Sequence, residues 1–387
     1  MIDKKLKKMS DCTGCYACVS ACPTKCITMV DNSEGFWYPE VDYDKCIFCE
    51  KCVLSCPVIE KKGKVLLNEP ICYAAENTDD NIRLKSSSGG LFHAIASDVL
   101  AKKGVVIGAE LVDNKLGHSL IDNETDLNRL LGSKYLQSRI GNTFSTIKDY
   151  LKTGRFVLFV GTPCQVAGLN KYLNKDYDNL LTLDFVCHGV PSQKVFEKYI
   201  KYSEDKFNAQ FKKVSFRDKQ EGWSKFGMKL YGKEENIFIP KKSDLYLKTF
   251  LSDVCLRKSC YDCKFKSVKR ESDITLGDLW VINNIVPELD DDKGISLIIV
   301  NTEKGAQTFS NINDNVVAKK IDLNKALLFN SAAIKSVKYN HNRDKFFKQI
   351  DKYDFDVLVD KYSKKTIKMK IETKLSNKWN KLKKGDK

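Results

Sequence analysis

Histidine is scarce in this chain: four residues in 387, His93, His118, His188 and His341, each standing alone. That leaves no two-histidine metal array and no Ser/His/Asp grouping to read as a nucleophilic site. No apolar run approaches the length of a membrane span, and Met1 to Ser10 carries Lys4, Lys5, Lys7 and Lys8 without an apolar core, so neither a signal peptide nor a transmembrane helix is predicted. The expected compartment is cytoplasmic. Arginine occupies only eight positions, so the formal net charge of +15 is a lysine charge. Nucleic-acid recognition leans on the bidentate arginine fork, and that partner class is set aside. Neither G-x-G-x-x-G nor the Walker lysine pattern is present, and no internal repeat occurs beyond the pair described next.

Cysteine is abundant, at fifteen positions. Eight of them form two copies of C-x2-C-x2-C-x3-C-P: Cys12, Cys15, Cys18, Cys22-Pro23, then Cys46, Cys49, Cys52, Cys56-Pro57. This is the bacterial ferredoxin run, in which three thiolates of one loop hold one [4Fe-4S] cluster and the fourth crosses to the other. Cys12, Cys15, Cys18 and Cys56 are therefore assigned to one cluster, and Cys46, Cys49, Cys52 and Cys22 to the second. A zinc ribbon would need only four cysteines, and a disulfide framework an extracellular setting. Reduced thiols fit a reducing, anaerobic compartment. The lysine excess then reads as a docking surface for an acidic redox partner.

Along the chain, Ile27–Val30 and Phe36–Tyr38 flank a turn and predict a β-hairpin between the two cysteine runs. A polar stretch from Glu60 to Pro70 separates this module from the rest. Beyond it, helical patterns at Leu91–Leu100, Thr143–Lys152, a segment ending at Leu173, and Val195–Tyr202 alternate with strand-like runs. The runs are Val105–Ala109, Phe156–Val160, Leu180–Val186, Val214–Phe216, Gly227–Tyr231 and Ile295–Val300. The expected class is α+β, mixed α/β: a ferredoxin-like domain over residues 1–68, then regions 69–150 and 151–330 forming an α/β core with partly parallel strands. Residues 331–387 are expected as a basic helical tail, with Ile367, Ile371, Leu375, Trp379 and Leu382 on one face among lysines. That stripe suits packing on the protein body better than contact with an anionic membrane surface.

A second cysteine group, Cys255, Cys260 and Cys263, has C-x4-C-x2-C spacing with no cysteine downstream. A fourth ligand must come from upstream, and Cys164 and Cys187 each follow a predicted strand, at the edge where open α/β sheets bind ligands. A third iron-sulfur cluster on Cys255, Cys260, Cys263 and one of these two is favoured over structural zinc. Cys26 and Cys72 read as core cysteines. The loop Ser86–Gly90 opening a helix is the best phosphate seat, with an ordinary helix cap as the competing reading.

Six phrases together resemble the coenzyme F420 hydrogenase/dehydrogenase beta-subunit family, with a fused two-cluster ferredoxin. They are Ser87–Phe92, Gly132–Ser138, Gly161–Gln165, Cys187–Ser192, Ser259–Cys263 and Ser272–Trp280. The resemblance implies FAD in the core, an iron-sulfur cluster beside it and electron exchange with deazaflavin coenzyme F420 or a related small molecule. It further implies that Ser88, Gly89 and Gly90 cradle the flavin phosphate, that Ser133, Lys134 and Gln137 contact the flavin, and that Cys164, Cys260 and Cys263 ligate the core cluster. His188, beside Cys187, is the one histidine adjacent to these. The family's frequent Phe-Trp-Gly ending is Leu279-Trp280-Val281 here, and the chain beyond Asn301 diverges. The expected activity is an FAD and iron-sulfur oxidoreductase whose partner is a redox protein or ferredoxin; the alternative is an electron-transfer subunit that docks on another enzyme without a substrate site of its own.

Overall fold

The computed structural model describes residues 1–60, 63–280 and 282–363. The expected amphipathic stripe from Ile367 to Leu382 lies outside them. In the N-terminal module, strands β1 (Ile27–Asp31) and β2 (Trp37–Val41) pair antiparallel, and each cysteine run turns through a short helix, Ala17–Ala21 or Lys51–Leu54. Tyr16 and Glu50 enter these helices in the left-handed region, at φ 67° and 56°, the sharp turn a cluster-binding loop needs.

The core is an eight-stranded mixed sheet. Its strands are β3 (Ile71–Asn77), β4 (Val105–Val112), β5 (Lys115–Ile121), β6 (Val157–Val160), β7 (Leu180–Phe185), β11 (Ile274–Asp278), β12 (Ser296–Val300) and β13 (Val316–Lys320). They lie in the order β13-β3-β12-β11-β7-β6-β4-β5. The four central strands β4, β6, β7 and β11 are parallel, and antiparallel strands close both sides. The short apolar runs of β6 and β12 are read correctly as buried strands, because both faces are covered by helices. A smaller antiparallel sheet of β8 (Lys213–Asp218), β9 (Gly227–Tyr231) and β10 (Asn236–Pro240) stands beside it.

Helix Thr143–Lys152 has the ends its pattern predicts, while Gln193–Phe207 runs longer than expected at both ends. Helices Arg343–Gln349 and Phe355–Tyr362 bury Phe346, Phe347, Phe355 and Leu358 against Phe196 and Tyr246. Residues 343–362 therefore continue the core.

The ferredoxin-like module shares this core. Tyr16, Ala17 and Trp37 pack with Phe144, Val166 and Leu169. Arg257, fully buried, donates from Nε to the Cys12 carbonyl at 2.8 Å and from Nη2 to the Trp37 carbonyl at 2.9 Å. Arg343, also fully buried, forks onto both carboxylate oxygens of Glu34. Buried charge pairs with saturated donors fix one orientation, since breaking either leaves an ion stranded in the core.

Candidate functional site

The carboxyl ends of β6, β7 and β11 open onto one cavity of about 540 Å³, within the range of small-molecule sites. Its lining joins Ser86–Ser88, Gly90, the Gly132–Leu136 segment, Gly161-Thr162, Phe185–Val190 and Leu276–Asp278. Parallel strands end there with their loops splayed, the usual place for a ligand in an open α/β sheet.

Most of the residues expected to bind a cofactor meet in this wall. Ser88, Gly90, Ser133, Lys134 and His188 line it. The Ser133 amide donates to the Ser87 hydroxyl, tying two motif segments together. Lys134 sends its ammonium to the Leu130 and Leu131 carbonyls at 2.7 and 2.8 Å, and burial pushes it down to about 7. His188 shares a 2.5 Å contact with Asp253 and meets the Phe250 ring edge-on.

Two residues of the same motifs lie elsewhere. Gly89 does not face the cavity. Its amide is occupied by the Ser296 hydroxyl at 3.0 Å, and a Cβ there would come within 2.5 Å of the Ala75 carbonyl, so this glycine allows the loop to press on the sheet. Gln137 points the other way, toward the cysteines. It donates to the Thr13 carbonyl at 3.0 Å and accepts from Arg257 at 3.3 Å.

Beneath the cavity floor, Cys164, Cys187, Cys260 and Cys263 ring a small space. Cys164 sits in the first turn of helix Pro163–Leu173, whose start is fixed by proline and by a Thr162/Gln165 capping box. Burial raises the Cys164 thiol to about 12, helped by Cys263 and Cys187, and raises Cys187 to about 11. Four thiols that oppose one another's ionisation need a cationic centre among them, and iron supplies that charge. The Val190 amide points at Cys260 Sγ at 3.4 Å, and Lys266 donates to the Cys187 carbonyl.

The spacing reading included Cys255 in this group, and the structure does not bring it there. Cys255 is wholly buried among Tyr246, Val254 and Leu256, because the chain pairs Pro191 with Leu256 and turns its side chain into the apolar core. Cys164 and Cys187 both take places where one was expected.

In the N-terminal module, Cys22, Cys46, Cys49 and Cys52 line a second small space. Cys12, Cys15, Cys18 and Cys56 form the neighbouring group: burial raises the Cys15 and Cys18 thiols, and the other members of the group raise them further. Both sets match the crossed ligand pattern expected from spacing. Cys26 differs from its expected core role. Its Sγ lies 3.4 Å from Cys22 Sγ, at the edge of the second space. Cys72 is a core residue on β3. Among the described residues no three His, Cys, Asp or Glu side chains converge as a single metal ion requires.

The spaces are in sequence. Cys187, His188, Gly189, Val190, Ser138 and Thr162 line both the large cavity and the core thiol space. The latter adjoins the first N-terminal group, since Cys15 feels Cys164, and Cys18 feels Cys52 of the second.

Sequence reasoning missed several cavity residues. His118 accepts from the Ser138 hydroxyl through Nδ1 at 2.7 Å and donates from Nε2 to the Val160 carbonyl at 3.0 Å. Burial holds it neutral, down to about 4. Asp184, with both oxygens partnerless, is pushed up by burial and restrained by Arg270 at 3.7 Å. Arg217, Lys241, Asp278 and Trp280 complete one wall. None sits in a spacing motif; only the ends of β5, β7, β8 and β11 bring them together.

Residues 154–326 match the family that describes the C-terminal part of the coenzyme F420 hydrogenase/dehydrogenase beta chain, and residues 11–59 match the 4Fe-4S dicluster domain. The dicluster match supports two [4Fe-4S] clusters on the N-terminal cysteines. Among curated proteins, the chain is 44% identical over 52 residues to NADH-quinone oxidoreductase subunit I 2 of Geobacter metallireducens, covering 12% of this chain and 40% of that one. It is 36% identical over 55 residues to a polyferredoxin-like protein of Methanocaldococcus jannaschii, covering 12% and 33%. The chain thus spans less than half the length of these relatives. A solved structure of the F420-reducing [NiFe] hydrogenase complex from Methanosarcina barkeri aligns at 19% identity with a TM-score of 0.49, over 73% of this chain and 93% of that one. Among the described residues no helix is long and apolar enough to cross a membrane. With its core and its N-terminal module both matched, the chain belongs to the coenzyme F420 hydrogenase/dehydrogenase beta-subunit family, carrying a 4Fe-4S dicluster domain at its N-terminus.

Proposed function

We propose that this protein is an iron-sulfur flavoprotein oxidoreductase, coupling two-electron chemistry at FAD in the large cavity to one-electron transfer through three [4Fe-4S] clusters. One observation carries the reading: the large cavity and the Cys164, Cys187, Cys260, Cys263 space share a wall, and the N-terminal thiol groups continue from it. A flavin supplies the exchange between an electron pair and single electrons, which clusters alone lack.

The residues fit that group. Cavity volume, the apolar faces of Leu91, Leu130 and Phe250, and the exposed hydroxyls of the Ser86–Ser88 loop suit a ring with a phosphate arm. Lys134 and neutral His118 are placed to donate to ring heteroatoms. Asp184, kept near protonation by burial, is placed to hold a proton beside the core thiols. Phe185–Val190 separates flavin and cluster spaces and excludes water between them.

Deazaflavin coenzyme F420, or a related hydride carrier, is the proposed two-electron partner. A redox protein or ferredoxin is the proposed one-electron partner. All fifteen cysteines are free thiols, which supports a reducing cytoplasm. The test is anaerobic purification with iron, sulfide and flavin analysis, followed by spectral assay of deazaflavin oxidation. About eight to twelve irons and one flavin per chain are expected. Full clusters without flavin, even after FAD is supplied, would leave an electron-transfer subunit in place of the enzyme.

A further inference from the structure

Arg217 is sunk in the wall of the large cavity with half its donors unused. Its side chain is 3% exposed, and Nη1 pairs with Asp278 Oδ2. The Tyr135 hydroxyl lies close by. Nε and Nη2 have no partner. Those two nitrogens form one edge of the guanidinium, a pair of parallel N–H donors that matches the two oxygens of a carboxylate or phosphate. Buried donors without acceptors are rare in folded proteins and call for a partner from outside the chain.

The surroundings favour negative charge. Lys241 lines the same cavity, its ammonium 4.5 Å from the Phe226 ring centre, and Arg217 covers that ring at 4.7 Å. Two cations therefore face one carboxylate, Asp278. Lys219 does not compete, because its ammonium is spent on the Arg83, Ser88 and Lys293 carbonyls. That anchoring also holds the serine loop beside Arg217, as does Trp223, which donates to the Ser87 carbonyl at 3.1 Å. Trp280, stacked on Trp223 at 4.9 Å, gives the cavity an aromatic face 5.1 Å from the Arg217 guanidinium.

We propose that Arg217 is the anion seat of this cavity. Its Nε and Nη2 grip a two-oxygen anionic group of a ring compound lying along Trp280, with Lys241 adding charge. Asp278 Oδ1, the third partnerless atom, accepts from a donor on the same ligand. The inference rests on the flavin reading above and adds the residue that reads charge. The anion has two candidate owners, the phosphate of FAD and the acidic side chain of a deazaflavin substrate, and the grip is the same for both.

The experiment measures binding by equilibrium dialysis on cluster-loaded, flavin-free protein. FAD is compared with riboflavin, the same ring without phosphate, and coenzyme F420 with its ring lacking the acidic side chain. In Arg217→Gln, the wild-type preference for one anionic probe over its neutral counterpart falls at least tenfold, and Arg217→Lys recovers part of it. Loss in the flavin pair names the FAD phosphate; loss in the deazaflavin pair names the substrate. Asp278→Asn keeps the fork, removes the countercharge and tightens the anionic probe, a sign that a merely structural pair would not give; it decides the matter if Arg217 variants fail to fold. Wild-type constants for all four probes in Arg217→Gln overturn the proposal, as does weakened anion binding in Asp278→Asn. Failure of wild-type protein to bind any probe overturns the flavin reading itself, and this inference with it.

Discussion

Gly168 lies against Cys15: a Cβ at position 168 would stand 3.0 Å from the Cys15 sulfur and 3.1 Å from its Cβ. Gly168 is midway along Pro163–Leu173, the helix that begins with Cys164, so this contact sets how closely the core thiol group approaches the first N-terminal group.

Alanine in mid-helix ordinarily stabilises by roughly 0.5–1 kcal/mol over glycine. Gly168→Ala should do the reverse. The added methyl meets a cluster-bearing loop that cannot retreat, and overpacking of this kind costs about 1–3 kcal/mol. The expected variant has a lower Tm and less iron bound per chain. A raised Tm with full iron would show that the module yields.

Much of this was legible from residues alone, and the exceptions share a cause. Both ferredoxin-type quartets followed from local spacing, because a cluster loop is a local structure. Helix Thr143–Lys152 was readable from its apolar stripe. The core quartet was half right: Cys260 and Cys263 are local, but the choice between Cys255 and the Cys164/Cys187 pair depends on which way the Pro191–Leu256 bridge turns a side chain. Strands β3, β5, β10 and β13 escaped the hydrophobic pattern, being edge strands or polar on one face. The Arg217 fork arises from long-range packing of the small sheet on the large one, which no spacing encodes.

The second N-terminal space offers five sulfurs where a cubane takes four. Cys26 Sγ lies 3.4 Å from Cys22 Sγ. Cys22→Ala should retain most of its second cluster through Cys26, with a shifted potential, since ligand position and hydrogen bonding tune such sites. The double variant Cys22→Ala/Cys26→Ala should lose about four irons per chain. Equal loss in single and double variants would make Cys26 a bystander.

Electrons are expected to leave at the loop Cys46–Cys49. Cys49 is exposed, flanked by Ile47 and Phe48, each 63% exposed, with Leu54 nearby. Lys7, Lys8, Lys25 and Lys51 are exposed in the same module. Large apolar side chains beside a cluster ligand, with lysines in the same module, suit a small acidic electron carrier. Phe48→Glu should slow exchange with an acidic ferredoxin about tenfold and leave iron content and reduction by a small viologen unchanged. The wild-type rate should fall as salt rises.

Asp273 gives the protein a pH-dependent joint at the start of β11. It is almost wholly buried and accepts from the Thr182 amide at 2.8 Å and from the Thr182 and Thr302 hydroxyls at 2.7 Å; Lys64 Nζ lies 2.8 Å away. Burial works against the charge, but Lys64 and these donors outweigh it and hold the carboxyl below the usual range. A carboxyl depressed on folding adds stability that is complete above its unfolded value of about 3.9 and drains away as pH falls through the folded one. Asp273→Asn should therefore lower stability at pH 7 by about 2–4 kcal/mol, toward the low side of buried-pair losses because Lys64 keeps some solvent access. The gap in apparent Tm between variant and wild type should stay constant from pH 8 to pH 5 and narrow only below about pH 4. A gap that instead narrowed with rising pH would place the linkage on another group.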